Sequence, residues 1–299
     1  MTTAVARTSR WRETWDFLWL FLSPMGSKRN VYDILMPHNN LGEQSLFLNL
    51  GYWEQAQDYD SACAALALRT AGKLNLEGPF QVLDVGCGFG DQDFLWAKTW
   101  TQCRWQAINV HGEQLATARE RLSQQPKEIQ DRVQFTVMNA CVMDLPEASV
   151  DRIVSVEAAF HFDTRQQFLA EAFRVLKPGG QIALADVIPL TDPAEWSVLK
   201  RALTKWGLRF WYTPFPNLIT PVQYRASLEQ LGFRNVAIED ISEQVFFPFR
   251  QYAAKRVEEP EIRRRVNPLL RGLWGMRGRS AKKGKSDGMA YVIVSAEKP

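Results

Sequence analysis

The chain has 299 residues, of which 46% are hydrophobic and 23% are charged, and this is enough apolar material for one large domain. Its formal net charge is only +3, so the overall charge does not favour nucleic acid as a partner. Four cysteines lie far apart, without a C-x-x-C pair or a zinc-type histidine spacing, so we expect no metal site and a reduced, cytoplasmic protein.

An apolar stretch, WDFLWLFL at 15–22, opens the chain. It is too short to span a bilayer, which takes roughly 20 residues, and no small-residue cleavage site follows it. We predict an amphipathic helix within an N-terminal helical cap, 1–50. This helix would pack on the body, cover a pocket or rest on a membrane surface.

Strand and helix patterns alternate from residue 59 onward. Short β-rich runs are predicted near 80–86, 104–110, 132–138, 150–156 and 180–188, and a last strand begins near Met289. Helical patterns lie at 59–76, 91–99, 112–125 and 164–176. This alternation predicts a doubly wound α/β domain over 51–299, with parallel strands joined by right-handed crossovers.

Two insertions interrupt the alternation. Aromatic residues gather around prolines at 189–232, which predicts a lid, and Thr220-Pro221 offers a helix N-cap within it. The second insertion, 258–288, is basic, since residues 262–286 hold nine Lys or Arg and no acid. Its cations alternate with apolar residues over 263–285, so an anionic membrane surface is one expected partner. A solvated loop is an equal alternative, and RNA is a weaker one.

The stretch VLDVGCGFGDQDF at 82–94 places glycines at 86, 88 and 90 after an apolar strand. Glycines let the backbone approach a ligand without a Cβ in the way. The spacing is G-x-G-x-G, whereas the dinucleotide fingerprint reads G-x-G-x-x-G. Asp84 would repel a pyrophosphate and attract an ammonium group. The turn therefore favours a cationic amino-acid nucleoside over a nicotinamide dinucleotide.

Together with GEQLATARERL at 112–122 and FRVLKPGGQIALADV at 173–187, this turn resembles the class I S-adenosylmethionine-dependent methyltransferases. The likeness runs from about Gly51 to Gly180 and resumes in the last strand. The chain is similar to the small-molecule branch of this family, which includes rebeccamycin sugar O-methyltransferase, tocopherol methyltransferases and polyketide or lipid methyltransferases. The resemblance implies a Rossmann-like seven-stranded sheet and S-adenosyl-L-methionine as the cofactor.

The resemblance also implies which residues hold the cofactor. These are Tyr52, Asp84, Gly86, Cys87, Gly88, Asn109, Val110, Gln114, Ala140, Cys141, Val142 and Glu157. Asn109 and Cys141 stand where the family often has acids that bind the ribose and the adenine. A cofactor-binding scaffold or regulator with weakened turnover therefore stays open as an alternative. Tyr52 either covers the sulfonium or packs beneath the N-terminal helix.

His161 is the predicted general base because its ordinary pKa lies near neutrality, and the resemblance places Asp186 near the acceptor, where it would orient His161. His38 and His111 are weaker candidates. Aromatic residues of the lid and of VFFPF at 245–249 predict a hydrophobic acceptor, although part of this surface can belong to the core. The lid aromatics are Trp206, Phe210, Trp211 and Phe215. We expect O-methylation of a natural product, polyketide or lipid, with C- or N-methylation and the oligomeric state left open.

Overall fold

The computed structural model describes residues 41–279 and 288–299, together with Trp11, Thr14, Trp15, Leu18 and Trp19. Most of the predicted helix at 15–22 lies outside the described residues, as does His38. No helix in the described part of the chain is both long enough and apolar enough to cross a membrane.

Seven strands in these described ranges form one sheet in the order β3-β2-β1-β4-β5-β7-β6. The first five strands run parallel, and β7 lies antiparallel between β5 and β6. The strands are β1 (Gln81–Val85), β2 (Arg104–Asn109), β3 (Val133–Val137), β4 (Val150–Val156), β5 (Leu176–Pro189), β6 (Arg234–Asp240) and β7 (Met289–Glu297). This confirms the Rossmann-like sheet, whose strand order reverses direction between β1 and β4. Ligands bind at such a reversal, beyond the carboxyl ends of the strands.

Helices cover both faces of the sheet. They are α1 (Tyr59–Ala71), α2 (Asp91–Thr99), α3 (Gly112–Ser123), α4 (Lys127–Gln130), α5 (Arg165–Val175), α6 (Val198–Phe210), α7 (Pro221–Gln230), α8 (Ser242–Arg256), α9 (Pro260–Arg265) and α10 (Pro268–Arg279). The predicted N-cap before Pro221 is confirmed, because the Thr220 hydroxyl accepts from the Gln223 N–H and the Gln223 side chain caps Thr220 in return.

Alternate residues of each strand enter different halves of the core. Val82 of β1 packs with Trp96 and Trp105 on one face of the sheet, whereas Leu83 packs with Phe168 on the other face. The rings of Trp96 and Trp105 stack at 5.1 Å. Both faces of the central strands are therefore buried, as a doubly wound fold requires.

The predicted lid contains α6, a short 3-10 turn at Phe215–Asn217, and α7. The apolar side chains of α6 point outward, since Leu203 is 62% exposed and Trp206 is 46% exposed. In the basic insertion the opposite holds, because Val266 and Leu270 are buried and Trp274 packs against the core. Packing on the protein thus accounts for these apolar residues, and membrane association through 263–285 stays a prediction without structural support.

Candidate active site

A cavity of about 860 Å³ opens at the carboxyl ends of β1, β2 and β4, where the strand order reverses. One side is formed by the glycine turn and the loops after β2 and β3, and the other side by the segment before α1 and by the lid. Its lining includes Leu46, Phe47, Leu48, Asn49, Gly86, Cys87, Gly88, Gln92, Asn109, Val110, His111, Gln114, Met138, Asn139, Ala140, Glu157, Ala158, His161, Leu208, Arg209, Tyr212, Thr213 and Pro214.

The glycine turn forms a cradle that a side chain would fill. Gly86 has a φ of +89°, and a Cβ built on it would lie 2.3 Å from the Ala158 Cβ. A Cβ on Gly88, which has a φ of +57°, would lie 3.3 Å from Leu48. The backbone N–H groups of Gly86 and Cys87 donate to the Ile108 carbonyl, which fixes the turn against β2. The cradle is therefore open to a ligand that lies along the backbone, as the cofactor expected from the sequence would.

The end of β2 presents an amide pair to the cavity. The Asn109 side-chain N–H donates to the Gln114 side-chain oxygen at 2.8 Å, and the Asn109 Oδ1 accepts from the His111 N–H at 3.4 Å. Val110 and Ala140, both predicted to bind the cofactor, line the same side. Amides donate and accept hydrogen bonds, so their chemistry fits ribose hydroxyls even though neither residue is an acid.

Glu157 directly follows β4, has a φ of +53° and lines the cavity. Its Oε1 accepts from the Leu50 N–H at 2.5 Å and from the Tyr291 hydroxyl at 2.6 Å. Burial raises the pKa of Glu157 to about 7, against the lowering effect of these two hydrogen bonds. Among the described residues no donor reaches Oε2. Glu157 thus combines cavity access with a proton affinity matched to neutral pH.

His161 also lines the cavity, at the end of the 3-10 turn Ala159–His161. Its Nδ1 lies 3.4 Å from the carbonyl oxygen of Tyr212 in the lid. Burial lowers the pKa of His161 to about 4, although the carbonyls of Tyr212 and Trp211 oppose this shift. The imidazole is therefore neutral at pH 7 and is a weak base that links the loop after β4 to the lid.

Asp186 lies away from the cavity, which corrects the placement expected from the sequence. Its carboxylate is fully buried and accepts from the Arg165 guanidinium at 2.9 and 3.1 Å and from the Tyr224 hydroxyl at 3.1 Å. These contacts tie α5 and α7 to β5. They give no support to the predicted role of Asp186 in orienting His161.

Four predicted cofactor residues also lie outside the cavity lining. Asp84 is fully buried and accepts from the Gln92 side chain, and Tyr52 donates to Glu54 beneath Arg69. Cys141 is buried with its thiol near the Thr164 carbonyl, and Val142 is 72% exposed to solvent.

Several cavity residues were not identified from the sequence. The segment 46–49, rather than Tyr52, lines the cavity near the glycine turn, and Gln92 lines it beside Asp84. In the lid, the lining residues lie at 208–209 and 212–214. Conversely, VFFPF at 245–249 belongs to the core in part, since Val245 is buried and Phe246 packs edge-on against Tyr291. Short apolar runs such as 46–48 carry no signal that separates a pocket from a core.

Comparisons with known proteins agree with this geometry. A family described as a methyltransferase domain matches residues 83–184. Erythromycin 3''-O-methyltransferase of Saccharopolyspora erythraea is 28% identical over 94% of this chain and 93% of its own length. An O-methyltransferase of Aspergillus nomiae is 30% identical over 65% of this chain and 84% of its own. The crystal structure of the [4+2]-cyclase SpnF has the same fold, with a TM-score of 0.64, 22% identity and 98% coverage of both chains.

Proposed function

The chain belongs to the S-adenosylmethionine-dependent methyltransferases, and we propose that it methylates a hydroxyl group of a large, mainly apolar natural product such as a macrocyclic polyketide. The observation that carries this proposal is one cavity of about 860 Å³ that joins the glycine turn to the lid. This volume lies near the upper end for small-molecule sites, so it has room for a cofactor and an acceptor. The end-to-end likeness to an erythromycin 3''-O-methyltransferase supports the choice of acceptor.

The cofactor side of the cavity is assigned by the same proposal. Gly86, Cys87 and Gly88 would lie along the amino-acid part of the cofactor, and Asn109 with Gln114 would bind the ribose. Backbone groups at Val110 and at 138–140 would surround the adenine. When bound, the cofactor supplies a sulfonium methyl group that a nucleophile can attack.

Glu157, which the resemblance placed among the cofactor residues, is proposed instead as the proton acceptor for the hydroxyl. General bases work best when their pKa lies near the operating pH, and burial raises the pKa of Glu157 to about 7. The Tyr291 hydroxyl and the Leu50 N–H hold the carboxylate through Oε1, which leaves Oε2 for the acceptor. His161, whose pKa is lowered to about 4, is a poorer base at the same pH and would position the lid.

The lid, 189–232, is proposed to exclude water from the reacting atoms. Leu208 and Pro214 bring apolar surface to the cavity, and Tyr212 contacts His161 through its backbone. Methyl transfer is catalysed mainly by holding the nucleophile in line in a site from which water is excluded. A lid that closes over the acceptor serves both purposes.

Incubation of the protein with S-adenosylmethionine and a panel of macrolides lacking one O-methyl group tests the proposed function. We expect S-adenosylhomocysteine and a product heavier by one methylene, located on oxygen by NMR. Methylation on carbon or nitrogen would contradict the O-methyltransferase assignment. Cofactor binding without turnover of any acceptor would favour the alternative, a cofactor-binding scaffold.

Substitution Glu157→Gln tests the proposed base. We expect kcat to fall about 10²- to 10⁴-fold while the dissociation constant for S-adenosylhomocysteine changes little. In the unsubstituted enzyme the rate should rise with pH through about 7, because the carboxylate must be deprotonated to accept the proton. The matched control is His161→Gln, which should keep this pH profile. A profile that survives in Glu157→Gln and vanishes in His161→Gln would return the role to the histidine.

A further inference from the structure

Two buried carboxyl groups lie side by side beneath the glycine turn. Asp84 on β1 and Asp93 on α2 are both fully buried. Oxygen Oδ1 of Asp84 and both carboxyl oxygens of Asp93 receive no hydrogen bond from any described donor. Ligand atoms of these two residues and of Cys87 lie within 4.8 Å of one another. Ionised carboxylates can only accept hydrogen bonds, so this arrangement requires a proton or a cation between the two acids.

A shared proton fits the surroundings of the pair. Burial raises the pKa of Asp84 to about 7 and that of Asp93 well above its usual range, and the charge of Asp84 raises the pKa of Asp93 further. The nearby Asp91 carboxylate adds to the repulsion and is itself held by Arg121. The charges of Asp84 and Asp93 also raise the pKa of the buried Cys87 thiol, whereas the charge of Arg119 lowers it. One proton held between the two acids leaves the pair with a single negative charge.

The remaining oxygen of Asp84 fixes the orientation of Gln92. The Gln92 Nε2 donates to the Asp84 Oδ2 at 2.8 Å, and Gln92 lines the cavity beside the glycine turn. A carboxylate oxygen has no proton to offer an amide oxygen, so the NH₂ group of Gln92 must face Asp84. The amide oxygen Oε1 then points away from Asp84. The side chain thereby offers the cavity an acceptor next to a buried negative charge.

We propose that the Oε1 atom of Gln92 accepts a hydrogen bond from the ammonium group of the cofactor, and that Asp84 and Asp93 are positioning residues that hold the Gln92 amide through one shared proton. This contact presupposes that the protein binds S-adenosylmethionine, as its family does, and it does not depend on which acceptor is methylated. Asp84 would then act on the ammonium group through the Gln92 side chain, in place of the water or backbone link that the sequence comparison implied. Asp84 is fully enclosed, so its charge reaches the ligand only through Gln92.

Calorimetric titration of the variant Gln92→Leu with two probes tests the contact. S-adenosylhomocysteine carries the amino group, whereas 5′-methylthioadenosine lacks the whole amino-acid part. We expect the affinity for S-adenosylhomocysteine to fall about 10- to 100-fold, as for a lost hydrogen bond to a charged group, with methylthioadenosine affinity unchanged. The matched control Gln114→Leu should weaken both probes, because Gln114 lies on the ribose side. Equal losses for both probes in Gln92→Leu, or no loss for either, would overturn the proposal.

Substitutions of Asp93 test the shared proton. In Asp93→Asn the amide still donates to Asp84, so S-adenosylhomocysteine affinity should be retained. In Asp93→Leu it should fall about as far as in Gln92→Leu, again without effect on methylthioadenosine. Circular dichroism checks that both variants fold. If Asp93→Leu does not fold, the affinity of Asp93→Asn for S-adenosylhomocysteine alone decides the test. Loss of affinity in Asp93→Asn, or one equivalent of metal by elemental analysis of the purified protein, would show that a proton does not join the pair.

Discussion

Glu157 and His161 are four residues apart, and burial moves their proton affinities in opposite directions. Removal from water disfavours the charged form of either group, so the pKa of Glu157 rises to about 7 and that of His161 falls to about 4. The sequence favoured His161 because its unperturbed pKa lies near neutrality. The assignment of the base to Glu157 in place of His161 therefore depends on how burial shifts each pKa, which residue type alone does not reveal.

Asp186 supports stability in our interpretation, so Asp186→Asn should lower the free energy of unfolding by about 3–5 kcal/mol, the usual cost of breaking a buried ion pair. The substitution leaves the Arg165 cation enclosed without its carboxylate. Urea unfolding measures the loss. Cofactor affinity at low temperature should stay near that of the unsubstituted protein.

The matched control is Asp131→Asn, which breaks the ion pair with Lys127 on the surface. Exposed pairs contribute about 0–1 kcal/mol, so this variant should unfold almost like the unsubstituted protein. An Asp186→Asn variant of undiminished stability that has lost methyl transfer would restore the role expected from the sequence.

Sequence motifs predicted which backbone segments form the site better than they predicted which side chains point into it. Gly86, Gly88 and Asn109, predicted to bind the cofactor, line the cavity, because a turn or a strand end places its own backbone there. Asp84 and Cys141 belong to the same motifs, yet their side chains face the interior. The direction of a side chain depends on which helix packs above it, and short motifs do not specify this.

At the scale of elements, the acid pair between β1 and α2 makes stability depend on pH. A carboxyl whose pKa is higher in the folded chain than in the unfolded chain binds more protons when folded. The free energy of unfolding then falls as pH rises from about 4, the unfolded value, through the raised folded values of Asp84 and Asp93.

Asp93→Asn removes one of these acids and keeps a donor to Asp84, so its stability relative to the unsubstituted protein should increase with pH. We compare the free energy of unfolding of Asp93→Asn with that of the unsubstituted protein. This difference should favour the variant by on the order of 1–2 kcal/mol more at pH 8 than at pH 4, since one unit of pKa shift corresponds to about 1.4 kcal/mol. Chemical unfolding at both pH values measures it. A difference in the free energy of unfolding that is the same at pH 4 and pH 8 would mean that the acid pair does not titrate in this range.

Most strands and helices of the sheet were predicted from the sequence, and β6 was missed. The helix at 91–99 is confirmed to the residue, as is the start of the last strand at Met289, a continuous buried run. By contrast, β6 was not predicted, because it is an edge strand whose residues are mostly half-exposed or exposed. The first helix was predicted to reach residue 76 but ends at Ala71, before Gly72. Leu74 and Leu76 are still buried beyond it, so their apolar character continued the pattern.

At the scale of the whole molecule, the cavity has a cofactor side on the sheet and an acceptor side on the lid. Thr213→Trp should fill only the acceptor side, because Thr213 belongs to the lid. We expect the KM for the acceptor to rise about tenfold or more, while the dissociation constant for S-adenosylhomocysteine stays within about twofold. Steady-state kinetics and calorimetry separate the two effects. A large loss of cofactor affinity would mean that the two sides are not independent.

The lid is the part of the fold that sequence patterns describe least well. Its location at 189–232 was predicted from aromatic residues and prolines, but the pattern of α6 would place its apolar face inward. Instead Leu203 and Trp206 face solvent, and Leu208 with the loop after the helix forms the cavity lining. An amphipathic pattern predicts a helix and one apolar face, and it does not say what that face contacts.

The four cysteines have a practical consequence for spectroscopy. All are free and buried, and burial raises the pKa of each thiol. Because the thiolate is the reactive form, maleimide dyes and nitroxide reagents should react slowly with the folded protein. A single cysteine introduced on α6, for example at Lys200, would then carry a reporter selectively. The movement of that helix during turnover can be followed by fluorescence or electron paramagnetic resonance without first removing native thiols.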